Sequence, residues 1–384
     1  MSWSQYCLAD IIHIKHGYAF KGEFFSEEPT DDILLTPGNF SIGGGFKANK
    51  LKYYNGEFPV DYILDENDVI VTMTDLSKEA DTLGFSAKVP AWYGKRFLHN
   101  QRIGLVSLIN DEFDINFLYW LMRSYSYQRF VANGATGATV KHTSPTKICQ
   151  YTFAAPKDKK TQLRIAYILS AYDDLIENNL KRIKLLEEKA FLGFKTIVKN
   201  EKLVEIKIEE LAYVVMGQSP TSDTYNEEND GLPFHQGVTN FSNYFVDHKI
   251  YCKTPIKIAD EGDILFSVRA PVGRINFTND KICIGRGLCA FRSKKGFQNY
   301  FYHQLKEFFF IEDVIGNGAI FNAVTKVELM NVKLKTPSEK IQKEFEKEAQ
   351  LIYNLILNLS RQSVKLREAR DILLPRLMSG EIEV

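Results

Sequence analysis

Two segments of the chain place residues of mostly apolar type at alternating spacings of four and three, the pattern of a helix that packs along a seam. One heptad register fits both segments when the second is shifted back by 180 residues, and it is sustained over about four heptads. The pattern predicts a coiled-coil pair, and the alternative is that each helix packs only on its own domain. The seam positions are Ile165, Leu169, Tyr172, Ile176, Asn179, Ile183, Leu186, Ala190, Phe345, Ala349, Ile352, Ile356, Leu359, Ser363, Leu366, Arg370, Leu373 and Leu377.

Shorter segments also repeat, in the same order, ahead of each long helix. A strand-like run that follows an Asn-Asp or Gly-Asp turn comes first, and an aromatic-rich segment of helical length comes later. A glycine-containing loop follows the aromatic segment, and a proline precedes each long helix. The matched pairs are 67–75 with 262–270, 116–131 with 299–314, 133–137 with 317–320, and Pro156 with Pro337.

This duplication predicts an α+β fold class. Two similar mixed α/β domains are expected, joined by two long helices that form an antiparallel coiled coil with pseudo-twofold symmetry. The predicted boundaries are residues 1–155 for the first domain, 156–200 for the central long helix, 201–336 for the second domain and 337–384 for the C-terminal long helix.

The charge is balanced in the whole chain and nearly balanced in each domain. The 384 residues include 48 Lys and Arg and 48 Asp and Glu. Residues 1–155 hold 14 basic and 17 acidic groups, residues 201–336 hold 16 and 17, and the central helix segment is basic, with 10 against 6. Neither domain attracts a polyanion by bulk charge, so any contact with nucleic acid must come from a local face or be shared with a partner.

Signatures of catalysis and metal binding are missing from the sequence. It has no Walker A loop, no His-Glu-x-x-His, no Gly-x-Ser-x-Gly and no dinucleotide-binding glycine motif. His13 and His16 have no third ligand at useful spacing, so no metal is expected. The five cysteines are scattered, and no secretory signal or long apolar run occurs. We therefore expect a soluble cytoplasmic protein with free thiols, without membrane association.

Polar and basic side chains cluster in turns beside the repeated elements, and these are the candidate DNA contacts. Arginine suits guanine edges and phosphates, and side-chain amides suit adenine. The alternatives are surface arginines paired with local acids, plain loops and ordinary surface amides. The candidates are Lys21, Asn39, Thr74, Lys78, Lys141 and His142 in the first copy, and Gln218, Ser219, Gln236, Asn240, Arg269, Arg274, Asn322 and Lys326 in the second.

The chain resembles the specificity (S) subunit of type I restriction-modification systems over essentially its full length. The order and duplication of several short motifs carry the resemblance, since none of them would suffice alone. The motifs are LSAYDDLIENNLKRIKLLEEKA at 169–190, LREARDILLPRLMSGEIEV at 366–384, HGYAFKGEFF at 16–25, GQSP at 217–220 and GDILFSVRAPVGR at 262–274.

The resemblance implies a DNA-reading subunit without catalysis of its own, in a system that defends against phage. Each domain would read one half of a bipartite, asymmetric double-stranded DNA target, and the helices would set the spacer. Two methyltransferase (M) subunits and up to two restriction (R) subunits would join it. S-adenosylmethionine, ATP and Mg would belong to those partners, and none to this chain. The helix positions assigned to partner docking are Tyr172, Asp173, Ile176, Ile183 and Ile352.

The first copy departs from the second at the strand-end loop, where Thr74 and Asp75 stand in place of Arg269 and Ala270. A carboxylate there could accept from cytosine but would repel phosphate, so the role of Asp75 stays open. The alternative function is a coiled-coil scaffold whose domains bind protein, which the neutral to slightly acidic domains would allow.

Overall fold

The structure is a computed structural model that describes residues 2–48, 51–77, 79–242, 244–311 and 323–384. Its contacts divide the chain into two compact units. Unit 1 comprises Met1–Glu177 together with Ser363–Val384, and unit 2 comprises Asn178–Gln362. Each unit therefore contains one domain and a portion of both long helices.

Unit 1 combines short strands with short helices and with the first part of a long helix. The strands are β1 (Trp3–Cys7), β2 (Ile12–His16), β3 (Phe25–Ser26), β4 (Asp32–Leu35), β5 (Lys52–Tyr54), β6 (Ile63–Leu64), β7 (Val69–Thr72), β8 (Thr74–Asp75), β9 (Ser86–Lys88), β10 (Arg96–His99), β11 (Ile103–Leu108), β12 (Lys141–His142) and β13 (Thr152–Pro156). The helices are α1 (Ile115–Leu121), α2 (Tyr125–Asn133), α3 (Pro145–Cys149) and α4 (Lys159–Asn200), of which α4 continues into unit 2.

Unit 2 contains the same kinds of element. The strands are β14 (Val204–Lys207), β15 (Ala212–Met216), β16 (Tyr225–Asn226), β17 (Leu232–His235), β18 (Tyr251–Cys252), β19 (Ile258–Ala259), β20 (Ile264–Ser267), β21 (Ile275–Phe277), β22 (Ile282–Ile284), β23 (Leu288–Ser293) and β24 (Lys333–Thr336). The helices are α5 (Ile208–Leu211), α6 (Gln298–Lys306), α7 (Lys326–Asn331) and α8 (Glu339–Ser379), of which α8 continues into unit 1.

Three sheets of unit 1 recur in unit 2 with the same strand order. The five-stranded sheet β3-β5-β4-β10-β6 corresponds to β16-β18-β17-β22-β19, and each has one parallel pair at its centre. The antiparallel sheet β2-β11-β7-β9 corresponds to β15-β23-β20-β21, and the pair β1-β13 corresponds to β14-β24. The predicted duplication and the mixed α/β fold of both domains are therefore confirmed.

The aromatic-rich segments differ between the units more than their sequences suggest. In unit 1 the segment forms two helices, because Ser124 begins a new helix by accepting a hydrogen bond from the Tyr127 N–H at 3.4 Å. In unit 2 the matching segment continues from α6 into a π-helical turn at Glu307–Ile311. An N-cap serine inside a helical pattern is a start signal that accounts for the break.

The two long helices use the predicted heptad register. Every predicted seam position is buried or half-buried. In unit 2, Nδ2 of Asn179 donates to Oε1 of Gln362 at 3.1 Å, and the rings of Phe194 and Phe345 lie 6.3 Å apart. Since the partner number falls along α8 as the number rises along α4, the helices run antiparallel, as predicted.

The helices also complete the core of each domain. In unit 1, Trp120 and Leu169 share one buried cluster with Leu377, and Trp120 Nε1 donates to Ser170 Oγ at 3.0 Å. In unit 2, Tyr300 and Phe345 share another. Packing on the domain and packing along the seam, which the sequence presented as alternatives, therefore occur together.

One carboxylate joins three separate segments of unit 1. Asp173 on α4 accepts from Arg123, at the break between α1 and α2, and from Arg370 on α8, each at 2.5 Å. The Arg123 side chain is 3 % exposed and also donates to the hydroxyl of Tyr119 at 2.6 Å. Burial alone would lower the pKa of Arg370, but the carboxylates of Asp173 and Asp371 outweigh it and raise that pKa.

We predict that Asp173→Asn destabilises unit 1, because two largely desolvated guanidinium groups lose their shared counter-charge. The expected loss is about 3 kcal/mol in the free energy of unfolding, measured by urea denaturation. The control is Glu205→Gln, which removes an exposed ion pair with Lys333 and should leave the denaturation midpoint unchanged. Equal midpoints for the two variants would contradict this role of Asp173.

Candidate nucleic-acid interface

In unit 1, two of the predicted contact loops meet although they are far apart in sequence. Strand β8 at Thr74–Asp75 pairs antiparallel with β12 at Lys141–His142. The pairing continues beyond the strands, because the Thr143 N–H donates to the carbonyl of Met73 at 3.0 Å. The loop that follows β7 and the segment after the glycine-containing loop therefore form one ribbon.

Unit 2 builds the same contact with different side chains. Arg269 forms an antiparallel bridge with Ala323, and the Val324 N–H donates to the carbonyl of Val268 at 2.9 Å. The two predicted loops of the second copy therefore also come together, and Arg269 stands in the place that Thr74 holds in unit 1.

A third loop supports each ribbon from the other side. The Met73 N–H donates to the carbonyl of Arg102 at 2.9 Å, and the Val268 N–H donates to the carbonyl of Gly287 at 3.0 Å. The supporting loop connects β10 to β11 in unit 1 and β22 to β23 in unit 2. We call these assemblies loop cluster 1 (residues 17–19, 36, 73–75, 100–102 and 141–143) and loop cluster 2 (217–219, 236, 268–270, 285–287 and 323–324).

Glycines near the start of each domain make the close approach possible. The Gly17 N–H donates to the carbonyl of Ile103 at 3.3 Å, and the Gly217 N–H donates to that of Leu288 at 2.9 Å. A Cβ atom on Gly17 would lie 2.1 Å from the carbonyl oxygen of Asn100, and one on Gly217 would lie 2.2 Å from that of Gly285. No side chain fits at either position, so glycine is needed for packing.

The candidates of the first copy divide into buried and surface residues. Asn39 is 1 % exposed, and its Oδ1 accepts from the main chain of Thr36 at 2.8 Å. Thr74 is 3 % exposed, with its hydroxyl 3.2 Å from Nδ1 of His142. Because these polar groups are used inside the fold, we withdraw Asn39 and Thr74 as base contacts. Lys21 and His142 are exposed, Lys141 is half-buried, and Lys78 lies outside the described residues.

Asp75, whose role was open, is also internal. It is 4 % exposed and accepts hydrogen bonds from the main chain of Ser77 at 2.7 Å and from the main chain of Thr82 at 2.6 Å. Burial raises the pKa of Asp75, but these bonds and one from the Thr82 hydroxyl outweigh it and hold the pKa below its usual value. The Asp75 carboxylate therefore stabilises its own loop and does not face the surface.

The candidates of the second copy are nearer the surface. Gln218, Gln236, Arg269, Arg274 and Lys326 are exposed, and Ser219 and Asn240 are half-buried. Lys326 is the first residue of α7. Asn322 lies outside the described residues. Loop cluster 2 thus contains Gln218, Ser219, Gln236 and Arg269 together, a grouping that the sequence did not predict.

The supporting loops carry exposed cationic and amide side chains that were not among the predicted contacts. These are Gln101 and Arg102 in unit 1 and Arg286 in unit 2. The sequence pattern that marks these loops is a short polar turn between two apolar strands.

A buried histidine lies under loop cluster 2. His235 is 1 % exposed, and its Nε2 lies 3.0 Å from Nδ1 of His248, whose Nε2 lies 3.2 Å from a carboxylate oxygen of Asp280. Burial, with a smaller effect of His248, lowers the pKa of His235 to about 4. His235 is therefore neutral at pH 7, and its carbonyl accepts from the Gly285 N–H at 2.9 Å, which ties the supporting loop to the sheet.

The positions assigned to partner docking face inward in the structure. Ile176 and Ile183 are buried, Tyr172 and Ile352 are half-buried, and Asp173 is held by two arginines. Four of them are seam residues and Asp173 is engaged by Arg123 and Arg370, so we withdraw all five as a partner surface. The exposed large apolar side chains of the long helices are Leu163, Tyr167, Leu175, Leu180, Leu185 and Leu192 on α4, and Leu351, Leu355, Val364 and Ile372 on α8.

Neither a metal-ligand cluster nor a membrane-spanning helix is present among the described residues. Within those residues, no group of three or more His, Cys, Asp or Glu side chains is arranged to hold a metal ion. None of the helices they form is both long and apolar enough to cross a membrane.

We predict that Gly217→Ala disrupts loop cluster 2, because the added methyl group would overlap the Gly285 carbonyl. The expected loss is about 1–3 kcal/mol in the free energy of unfolding, measured by urea denaturation. Gly237→Ala is the matched control, since a Cβ atom there meets nothing within 4 Å. A Gly237→Ala protein that loses as much stability as Gly217→Ala would show that the close approach is not the cause.

A family model for the type I restriction modification DNA specificity domain matches residues 1–188 and again residues 200–350. The chain is 30 % identical over 323 residues to a putative type I restriction enzyme MjaX specificity subunit of Methanocaldococcus jannaschii, covering 77 % of this chain and 75 % of that protein. It is 25 % identical over 300 residues to the type I restriction enzyme MjaIX specificity subunit of the same organism, covering 70 % and 69 %.

The fold is also similar to a solved structure. The crystal structure of a type I restriction-modification system S subunit from M. genitalium aligns with a TM-score of 0.60 at 17 % identity, covering 98 % of this chain and 96 % of that one. That likeness concerns the fold alone. Because the family model matches both domains and most of the sequence, the chain belongs to the specificity subunits of type I restriction-modification systems.

Proposed function

We propose that this chain reads a bipartite, asymmetric DNA target, with loop cluster 1 on one half and loop cluster 2 on the other. The observation that carries the proposal is that one main-chain scaffold is built twice and bears different side chains each time. Since base identity is read by side chains on a positioned backbone, two different sets on one scaffold suit two different half-targets. The subunits of this family are non-catalytic, so the proposed role of the chain is recognition and not chemistry.

Exposed arginines in the loop clusters supply local positive charge for contacts with DNA, although the net charge of each domain is close to zero. Arg102 in unit 1 and Arg269 and Arg286 in unit 2 are exposed on loops whose main chains are hydrogen-bonded to their neighbours. Guanidinium groups on rigid loops can contact phosphates and guanine edges. Both domains are otherwise close to neutral, so we infer that partner subunits supply much of the affinity for DNA.

We further propose that two M subunits dock on the long helices in equivalent ways. With the shift of 180 residues that aligns the heptads, Leu175 corresponds to Leu355, and Leu192 to Ile372. All four are exposed, at 51 %, 37 %, 64 % and 57 % respectively. Apolar side chains exposed at the same places in both copies suit two copies of one partner. Up to two R subunits complete the complex in the cytoplasm, and S-adenosylmethionine, ATP and Mg are bound by the partners.

The reading role predicts a modular methylation pattern. Cells that carry this chain with its M partner should show a bipartite adenine mark by long-read modification calling, and the mark should vanish without this chain. Replacing residues 1–155 by the matching domain of a relative should change one half of the target only, because the exchange ends before α4 begins at Lys159. Replacing residues 201–336 should change the other half.

Two outcomes of the exchange would count against this role. Alteration of both halves by one exchange would exclude independent reading. A mark that does not depend on the chain at all would favour a scaffold that binds protein.

The docking proposal predicts a stepwise loss of M subunits. Leu355→Glu should reduce the bound M subunits from two to one, and Leu175→Glu with Leu355→Glu should abolish binding, because a carboxylate would be desolvated in each apolar contact. Native mass spectrometry of the co-expressed complex gives the stoichiometry. Leu185→Glu is the control, since Leu185 is 64 % exposed but its heptad equivalent is Lys365. Two M subunits retained by the double variant would place docking elsewhere.

A further inference from the structure

A hydroxyl fixes an exposed amide in loop cluster 2. The main-chain N–H of Arg286 donates to Oγ of Ser219 at 3.2 Å. The Ser219 hydroxyl in turn donates to Oε1 of Gln236 at 2.7 Å. A continuous chain of hydrogen bonds therefore runs from the supporting loop through Ser219 to the side chain of Gln236.

This series of hydrogen bonds determines which polar atom of the Gln236 amide faces solvent. A glutamine that reads adenine uses its oxygen as an acceptor and its nitrogen as a donor. Here Oε1 accepts from Ser219 and lies against the backbone of Gly285, whereas in the described part of the chain Nε2 of Gln236 has no hydrogen-bond partner. Gln236 is exposed, so its free polar atom presents donors only.

Tight main-chain packing holds the amide in place. The Gly287 N–H donates to the carbonyl of Gln236 at 3.2 Å. A Cβ atom on Gly285 would lie 2.5 Å from Oε1 of Gln236, so the amide rests against the glycine backbone. Arg286 lies between these two glycines and is exposed, so a guanidinium group with five N–H donors is carried on the same loop as the contacts to Gln236.

Unit 1 lacks this arrangement at the equivalent positions. The strand registers place Thr36 where unit 2 has Gln236, and the domain-start glycines place Ala19 where it has Ser219. Alanine cannot relay a hydrogen bond. The Thr36 hydroxyl lies 3.1 Å from Oδ1 of Asn39 and is used within its own turn, and Gln101 stands in place of Arg286. The donor-only edge is thus a property of unit 2.

We propose that loop cluster 2 reads a guanine in its half of the target, with Nε2 of Gln236 and the guanidinium group of Arg286 as the donors. Guanine is the base whose major-groove edge offers two acceptors, N7 and O6, without a donor. Ser219 is a positioning residue, because it orients Gln236 without contacting the base. The inference rests on the proposed reading function and adds the chemistry of one base.

Three variants of the chain in its complex with M test this, with the methylation motif as the readout. Arg286→Ala should lower the preference for guanine at one position by about 5- to 150-fold. Gln236→Glu should do the same and admit cytosine, whose N4 donor a carboxylate accepts. Ser219→Ala should admit adenine at that position, because the freed Oε1 can then accept while Nε2 donates.

Controls separate failure of the inference from failure of the reading role. Gln101→Ala should leave the half-target of unit 2 unchanged and affect at most the other half. If the bipartite mark persists but Arg286→Ala and Gln236→Glu weaken methylation equally at every base, the groups contact phosphate and the guanine assignment is overturned. A guanine preference that survives Ser219→Ala without admitting adenine would overturn the positioning role. Loss of any dependence on the chain would instead reject the reading function.

Discussion

Burial of the seam between the two long helices is the constraint on which each unit depends. In unit 1 the seam residues Leu169 and Leu377 lie in the same buried cluster as Trp120 of the domain, and in unit 2 Phe345 and Ile356 pack with Tyr300. The helices are therefore shared between seam and domain core. A change on the seam reaches the sheets directly, because one side chain contacts both.

The two loop clusters share the same main-chain arrangement and differ in the side chains that it carries. The three loops of each cluster are joined by backbone N–H groups and carbonyls, and the closest approach occurs at glycine. Bonds of this kind do not depend on the identity of the exposed residue. That explains how Thr74 and Arg269 occupy equivalent places although one is buried and the other exposed.

Periodic features were predictable from the sequence, whereas the burial and hydrogen bonding of individual polar side chains were not. The heptads located both helices because apolar spacing reports burial directly. Asn39 and Asp75 looked like surface residues because turns favour Asn and Asp, but turns also use those side chains to bind their own backbone. The structure shows that second use, through Thr36 for Asn39 and through Ser77 and Thr82 for Asp75. Arg286 was not predicted as a contact because its neighbours in space, Ser219 and Gln236, come from distant parts of the chain.

The contacts of Asp173 set an order of events during translation. Unit 2 is one continuous stretch, whereas unit 1 needs residues 363–384 to complete it. The second ion pair of Asp173 requires Arg370, and the ring of Trp3 lies where a side chain on Gly380 would be. At about 5–20 residues per second, roughly 10 to 40 seconds separate the synthesis of Asp173 from that of Arg370. The nascent first domain therefore keeps the part of its core that Leu374, Leu377 and Met378 cover open to solvent for that interval.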